Sequence, residues 1–499
     1  MNSGDPINKK NSKAAFLPEP AGLFGLAIFW TLFLLSGQKS LMCGDTLWHI
    51  KVGQVMLDSG QILTHDVFSH TVANKAWTAH EWLSEVFMAF CYNLGGLPGV
   101  TLVFFVIVSI SMALLFKASQ KLSNEWSAFC AITIAAAFAQ IHLLARPHIF
   151  TWLFGSIFLY LLINQDRKLW VLPILTAIWG NLHGGVLIGI VLQGAFLSGS
   201  FLDACSEKSF KDWRHHWPKI RQPFYIFLLS LLALGCNPFG YSLLWFPFKV
   251  TAEVFSQNIA EWKAPDLQEM WYVRVWLIML AALIASQGRR LSWVWRLLLV
   301  FFVYQALGHV RHLSIAAMFL APWTAMSISE LFKRTNLQKP KGDEVALSPY
   351  SGPLLIGVSF LILSSFSISQ PAWWQNFTAK SFALPDRYTQ GAISYLKEHG
   401  YPGEHLLNEY SWGGFLLFDL DPPPKVFIDG RADMYGEKVF SDYAKLTYIH
   451  PDMDDLLIEY KIDWILYPKD SFLIRYMSTK PEWEKVYGDD EISILALKR

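Results

Sequence analysis

Apolar runs close to membrane-crossing length recur along three quarters of the chain, and the last quarter reads differently. The runs fall at 20–37, 97–116, 125–144, 149–164, 169–181, 184–203, 222–236, 271–287, 291–308, 310–330 and 352–369. An upright helix needs about 20 residues to cross the hydrocarbon core, so the pattern predicts a polytopic α-helical membrane protein of about 11 transmembrane segments. Residues 82–94 form one more apolar helix candidate, lying along the surface or leading into the next span. The stretch from Leu169 to Leu202 is too long for one upright helix, and Gly180-Asn-Leu-His-Gly-Gly185 interrupts it. The glycines there weaken helix propagation, while Asn181 and His183 bring polar groups to the break. It reads as a tight helical turn or as a ligand-facing break, because irregular backbone at such depth needs protein or a wet cavity around it.

Basic residues alternate in phase with these runs. Lys9, Lys10 and Lys13 precede the first. Lys117, Lys121, Arg167, Lys168, then Lys208, Lys211, Arg214, Lys219 and Arg221, then Arg289 and Arg290, then Lys333, Arg334, Lys339 and Lys341 occupy every second loop. The positive-inside rule then places the N-terminus in the cytoplasm and residues 372–499 outside. The expected division is a multi-span membrane domain, 1–371, with a long first outer loop at 38–96, and a C-terminal extracytoplasmic α/β domain, 372–499. In the latter, Gln390–Glu398 and Met453–Tyr460 pattern as helices. Val426–Ile428, Asp463–Tyr467 and Ile492–Leu497 pattern as strands. The corresponding location is a bacterial inner (cytoplasmic) membrane, with the tail domain periplasmic or extracellular.

Composition agrees: of 499 residues, 53% are hydrophobic and only 16% charged, below the usual globular quarter. A net charge of +1 argues against a nucleic-acid partner. The five cysteines are scattered, so neither a disulfide framework nor a thiolate metal spacing follows. Walker, dinucleotide, His-Glu-x-x-His and G-x-S-x-G patterns are all missing.

Under this topology the outer mouth collects polar residues from distant parts of the chain. The first loop supplies Asp45, His49, Asp66, His80 and Glu81 as catalytic candidates. Asp45 and His49 share a face if 45–57 is helical. Asp45 reads as a base, a helix-start acid or a ligand, with Asp66, for a divalent cation such as Mg or Mn; the spacing does not choose. Glu81 reads as a first-turn helix acid or as a partner to His80. Arg146, Arg311 and His312 are candidates for phosphate recognition, since a guanidinium fork pairs with phosphoryl oxygens; interfacial snorkelling is the plainer account. His148, His183, Glu261 and His309 lie at the same depth and are further substrate-binding candidates. In the tail, Trp412, Arg431 and Asp433 are candidates for acceptor recognition, against a purely structural Arg–Asp pair near Asp429.

A sugar carried on a lipid phosphate needs cations against the phosphate, a carboxylate near the acceptor hydroxyl and a membrane-facing cavity. The layout resembles the GT-C superfamily of polytopic membrane glycosyltransferases, as a divergent bacterial branch. The likeness rests on Asp45-Thr-Leu-Trp-His49 in a long first loop, the many-span body and the soluble tail. It implies a glycosyltransferase with a polyprenyl-phosphate-type donor, a lipid, glycan or protein acceptor and Asp45 as leading carboxylate. The adjacent Asp-Glu pair of several branches is missing here. A transporter or flippase using the Gly184-Gly185 break, and a non-catalytic scaffold for envelope-glycan assembly, remain alternatives.

Overall fold

Opposite ends of the helical body are marked by different chemistry. The computed structural model describes residues 18–165, 167–207, 213–244, 259–334, 348–382 and 390–498. Lys9, Lys10, Lys13, Lys208, Lys211, Lys339 and Lys341 lie outside the described residues, as does the connection 245–258. At one end Pro18 bridges to Ser348, and Glu19 pairs with Lys117. At the other lie the first loop and the C-terminal domain.

The body comprises α1 (Pro20–Leu35), α2 (Gly44–Ser59), α3 (Trp82–Leu122), α4 (Glu125–Ala139), α5 (His148–Asn164), α6 (Leu172–Leu182) and α7 (Val186–Glu207). It continues with α8 (Trp213–Ala233), α9 (Trp271–Gln287), α10 (Trp293–Gly308), α11 (His312–Arg334) and α12 (Ser351–Ser369). Among the described residues, four helices are long and apolar enough to cross a membrane: α3, α7, α11 and α12. With the shorter apolar helices and α4 they fall on the expected segments. Residues 82–94 are the first limb of α3. Gly95 and Gly96 break its helical dihedrals, and the positive φ of Gly96, 63°, is a conformation glycine adopts without strain. The second limb is the span proper, with Pro98 in its first turn, where a missing N–H costs nothing.

Several body helices are shorter than an upright span requires. Their ends converge on one face: α5 begins at His148, α6 is capped by His183, and α10 ends at Gly308. The break between α6 and α7 is therefore real. Asn181 explains itself structurally, since it accepts from Trp82 Nε1 at 2.8 Å and donates to the Cys236 carbonyl at 2.8 Å.

Beyond the body, α13 (Ala372–Ser381) lays Trp374 against Phe33 of α1. The C-terminal domain then runs α14 (Gln390–His399), β1 (Leu406–Asn408), α15 (Gly413–Asp419), α16 (Ala432–Thr447), α17 (Met453–Glu459), β2 (Trp464–Pro468), α18 (Phe472–Met477), β3 (Trp483–Gly488) and β4 (Ile492–Leu497). The sheet order is β1-β2-β4-β3, parallel only between β1 and β2. One expected strand is corrected. Val426–Ile428 makes a single parallel bridge, Ser69 to Val426, because the Asn408 side chain takes the backbone bonds a neighbouring strand would supply. Asn408 accepts from Phe427 N–H at 2.9 Å and donates to the Ile428 carbonyl at 2.8 Å.

The hydrophobic core divides in two. One core fills the body; the other joins the C-terminal domain to Trp48, Val52 and Met56 of α2 and to Phe68, Trp77 and Ala79 of the first loop. The first loop is thus built into the C-terminal domain.

Candidate functional site

Where the short helices end, a cavity of about 1050 Å³ opens between the body, the first loop and the C-terminal domain. Asp45 and His49 enter it from the first two turns of α2. His80 and Glu81 come from the residues before α3, where Glu81 occupies the cap position but makes no side-chain capping bond. Arg146 and His148 stand at the start of α5, which is tied to the first loop by Ala145 N–H donating to the Ser40 carbonyl at 2.9 Å. The stretch carrying Glu261 is strapped to the α10–α11 corner, with Arg311 N–H on the Glu261 carbonyl at 3.1 Å and Val310 N–H on that of Lys263 at 2.9 Å. His183, His309, Arg311 and His312 complete the body side, and Asp433, in the first turn of α16, faces them from the C-terminal domain.

Two electrostatic halves result. In the first, carboxylates and guanidiniums alternate. Arg146 Nη2 reaches Asp45 Oδ2 at 3.0 Å, Arg146 Nη1 reaches Glu261 Oε2 at 3.1 Å, and Arg311 Nη1 reaches Glu261 Oε1 at 3.3 Å. Burial pushes the Glu261 carboxyl upward, but Arg146 and Arg311 together overcome it and hold it well below the usual range. Arg311 also lies over the Trp262 ring, 4.3 Å from its centre. Each guanidinium carries five N–H groups, so both arginines keep donors to spare for an anion. His309 is anchored by the Trp262 carbonyl, 2.6 Å from its Nδ1, and sits edge-on to His312.

The second half is carboxylate and imidazole. Glu81 Oε1 lies 3.3 Å from His183 Nε2 and 3.7 Å from His80 Nε2, and Oε2 lies 3.6 Å from His49 Nε2. The His183 tautomer follows from its neighbours. Gly185 N–H approaches Nδ1 at 3.0 Å and the Thr151 hydroxyl at 2.7 Å, while Thr151 itself accepts from Trp179 Nε1. Nδ1 is therefore the acceptor and Nε2 carries the proton toward Glu81. Burial raises the Glu81 carboxyl to about 8, against the pull of Arg146 and Arg311. Burial likewise raises Asp433 to about 6 and lowers His80 to about 4.

The third wall is apolar. Leu187, Ile188 and Val191 of α7, Phe301 of α10 and Ile315 of α11 line it beside the arginines.

Twelve of the candidate positions were expected at one mouth with three more in the tail, and the cavity takes most of them. Three are corrected. Asp66 does not line the cavity: Oδ1 accepts from Arg431 Nη1 at 2.7 Å, and Oδ2 accepts from the Ser69 hydroxyl and N–H. Arg431 is buried in the same cluster, held by Asp429 and Tyr435, which is the structural Arg–Asp account. Trp412 belongs to the C-terminal core. Residues not anticipated are His142, whose Nδ1 lies 3.7 Å from Glu261, and Tyr410, Ser411, Phe415 and Gly430 of the C-terminal domain. Of these, Tyr410 and Ser411 directly precede the tail candidate Trp412, while His142 lay hidden at the end of an apolar run.

Nor do Asp45 and Asp66 stand together as ligands of a divalent ion. Asp45 and Asp66 are engaged by different arginines, and Asp45 Oδ1 additionally accepts from Trp48 Nε1 at 3.1 Å. Among the described residues no three His, Cys, Asp or Glu side chains are grouped as ligands.

No family model and no curated protein matches the sequence. Solved structures do. The oligosaccharyltransferase AglB of Archaeoglobus fulgidus, in complex with an inhibitory peptide and a dolichol-phosphate, superposes with a TM-score of 0.56 at 12% identity, over 90% of this chain and 69% of that one. The same enzyme tethered to an acceptor peptide containing the NVT sequon gives 0.54 at 11%, over 90% and 68%. Its complex with Zn and sulfate gives 0.50 at 11%, over 90% and 68%. The likeness establishes the fold: a many-helix body with an appended soluble domain, as in that oligosaccharyltransferase.

Proposed function

We propose that this chain, with its GT-C fold, is a membrane glycosyltransferase that moves a sugar from a polyprenyl-phosphate-type lipid to an acceptor at the face carrying the C-terminal domain. The observation that carries the reading is one cavity in which free guanidinium donors, a raised carboxyl and an apolar wall coincide. In this reading the donor phosphate sits against Arg311 and Arg146, and its lipid tail follows Leu187, Ile188, Val191, Phe301 and Ile315 toward the bilayer. The acceptor enters beside Glu81 and Asp433. AglB was captured with a peptide and with dolichol-phosphate, which supports a lipid donor in general; whether the acceptor here is lipid, glycan or protein is left to the assay.

The chemistry follows from the two halves. Glu81 Oε1 takes the acceptor's hydroxyl proton, and the acceptor oxygen forms a bond to the anomeric carbon. The bond from that carbon to the phosphate oxygen breaks, and its electron pair leaves on the phosphate. Arg311 and Arg146 stabilise that growing charge through charge-assisted hydrogen bonds. Direct attack with one base inverts the anomeric centre. Asp45, the expected leading carboxylate, is here the residue that aims Arg146. The alternation of basic residues along the sequence supports a cavity on the outer side of the membrane, in this reading a bacterial inner membrane.

Reconstitution into liposomes with a panel of polyprenyl-phosphate sugars and acceptors tests this. Covalent product that survives EDTA, and disappears in Arg311→Ala, is the expected result. Sugar-lipid movement across the bilayer without a covalent product would instead make the chain a transporter.

A further inference from the structure

Glu85 has no part in the chemistry above, yet it is an acid only 1% exposed, one helical turn beyond Glu81. Its Oε1 lies 3.2 Å from His49 Nδ1. Its Oε2 is sealed from solvent, and no donor among the described residues reaches it. His49 is itself buried, with Trp48 against its ring and its Nε2 turned to Glu81. The three groups form one line: Glu85, His49, Glu81.

A neutral imidazole has one N–H and one bare nitrogen, and both nitrogens of His49 face carboxyl oxygens. An ionised Glu85 would leave a charged oxygen buried without a partner, among the costliest arrangements in a protein interior. A protonated Glu85 leaves only a carbonyl-like oxygen unpaired and donates its proton to Nδ1. Burial, with Arg146, His80 and His183 close by, keeps His49 neutral. Other charges that act on this line are Arg311, Asp45, Asp433 and Arg431.

Building on the catalytic reading, we propose that Glu85 is a positioning residue. As a neutral acid it donates to His49 Nδ1 and so fixes the tautomer whose Nε2–H points at Glu81 Oε2. Glu81 is then faced on Oε2 by the His49 Nε2–H at 3.6 Å and met on Oε1 by His183 at 3.3 Å, and an Oε1 lone pair is aimed at the acceptor. Glu85 touches no substrate; its effect passes entirely through His49.

The tautomer can be read directly by ¹⁵N NMR of histidine-labelled protein in detergent, with the His49 signals assigned by their loss in His49→Gln. We expect one protonated and one bare ring nitrogen, the proton on Nε2, held between about pH 6 and 8. Glu85→Gln keeps that state, because its amide N–H still donates to Nδ1; Glu85→Leu lets the ring exchange between tautomers. In the transfer assay, Glu85→Leu lowers kcat about 10-fold or more at unchanged KM. Glu85→Gln restores it to within about 3-fold of the parent. An imidazolium or an Nδ1–H tautomer in the parent protein overturns the proposal, as does a Glu85→Gln variant as slow as Glu85→Leu. Should Glu85→Leu not yield monodisperse protein, the parent and Glu85→Gln spectra decide. A parent chain that transfers no sugar counts against the catalytic reading alone, since the spectra still report on His49.

Discussion

At the scale of single residues, the division of labour turns on which carboxylate is neutralised. Asp45 and Glu261 are tied to guanidiniums, whereas Glu81 faces imidazoles and is 12% exposed. With Glu81 as the proposed base, Glu81→Gln should lower kcat by about 10²- to 10⁴-fold with little change in donor binding. The pH dependence has a definite sign. A base must be ionised to act, and the Glu81 carboxyl titrates at about 8, so the rate should climb with pH through that value and level off above it. A rate that falls across this range would remove Glu81 from the role. Sequence reasoning named both Glu81 and Asp45 and led with Asp45; the partners from residues 146 and 261 that distinguish them cannot be seen from spacing. Asp66 misled for the same reason: its partner, Arg431, lies 365 positions away.

At the scale of elements, the helical spans were largely legible, since each buries an apolar run and the runs are bounded by charges. The break after Leu182 was legible as well, from the Gly180–Gly185 interruption; the bend between 82–94 and 97–116 was legible only as two segments, with Gly95 and Gly96 supplying the kink. The sheet was not. β1 is three residues long and β3 alternates weakly, while Val426–Ile428 has strand composition but lost its partners to the Asn408 side chain. The break between α6 and α7 offers a direct test. A Cβ on Gly185 would overlap the Thr151 hydroxyl and crowd His183 Nδ1, disturbing the contact that, with Gly185 N–H, sets the His183 tautomer. Gly185→Ala should therefore cut kcat about 10-fold or more, while overpacking costs about 1–3 kcal/mol of stability, measured as a lower thermal midpoint. Full activity in that variant would detach His183 from Glu81.

At the scale of the whole molecule, the C-terminal domain is a wall of the site and is locked to the first loop. Asp66, Arg431, Asp429 and Tyr435 form one buried polar cluster, with cation–π contacts from Arg431 to Phe68 and Trp77. Alongside it, Gly430 packs so tightly on Asp45 that a side chain there would overlap the carboxylate. Asp66→Asn leaves a buried guanidinium short of charge and should cost about 3–5 kcal/mol. Calorimetry should show that loss together with reduced transfer, although residue 66 does not line the cavity. Unchanged transfer in a destabilised variant would mean that the domain is held for stability alone.

The most direct test of the catalytic cavity is the binding of a polyprenyl phosphate, followed by native mass spectrometry in detergent. The parent protein and Glu81→Gln should bind it equally well, whereas Arg311→Ala should bind about 10- to 100-fold more weakly, the loss of one or two charge-assisted hydrogen bonds. Equal binding by Arg311→Ala and the parent would contradict the account at its root.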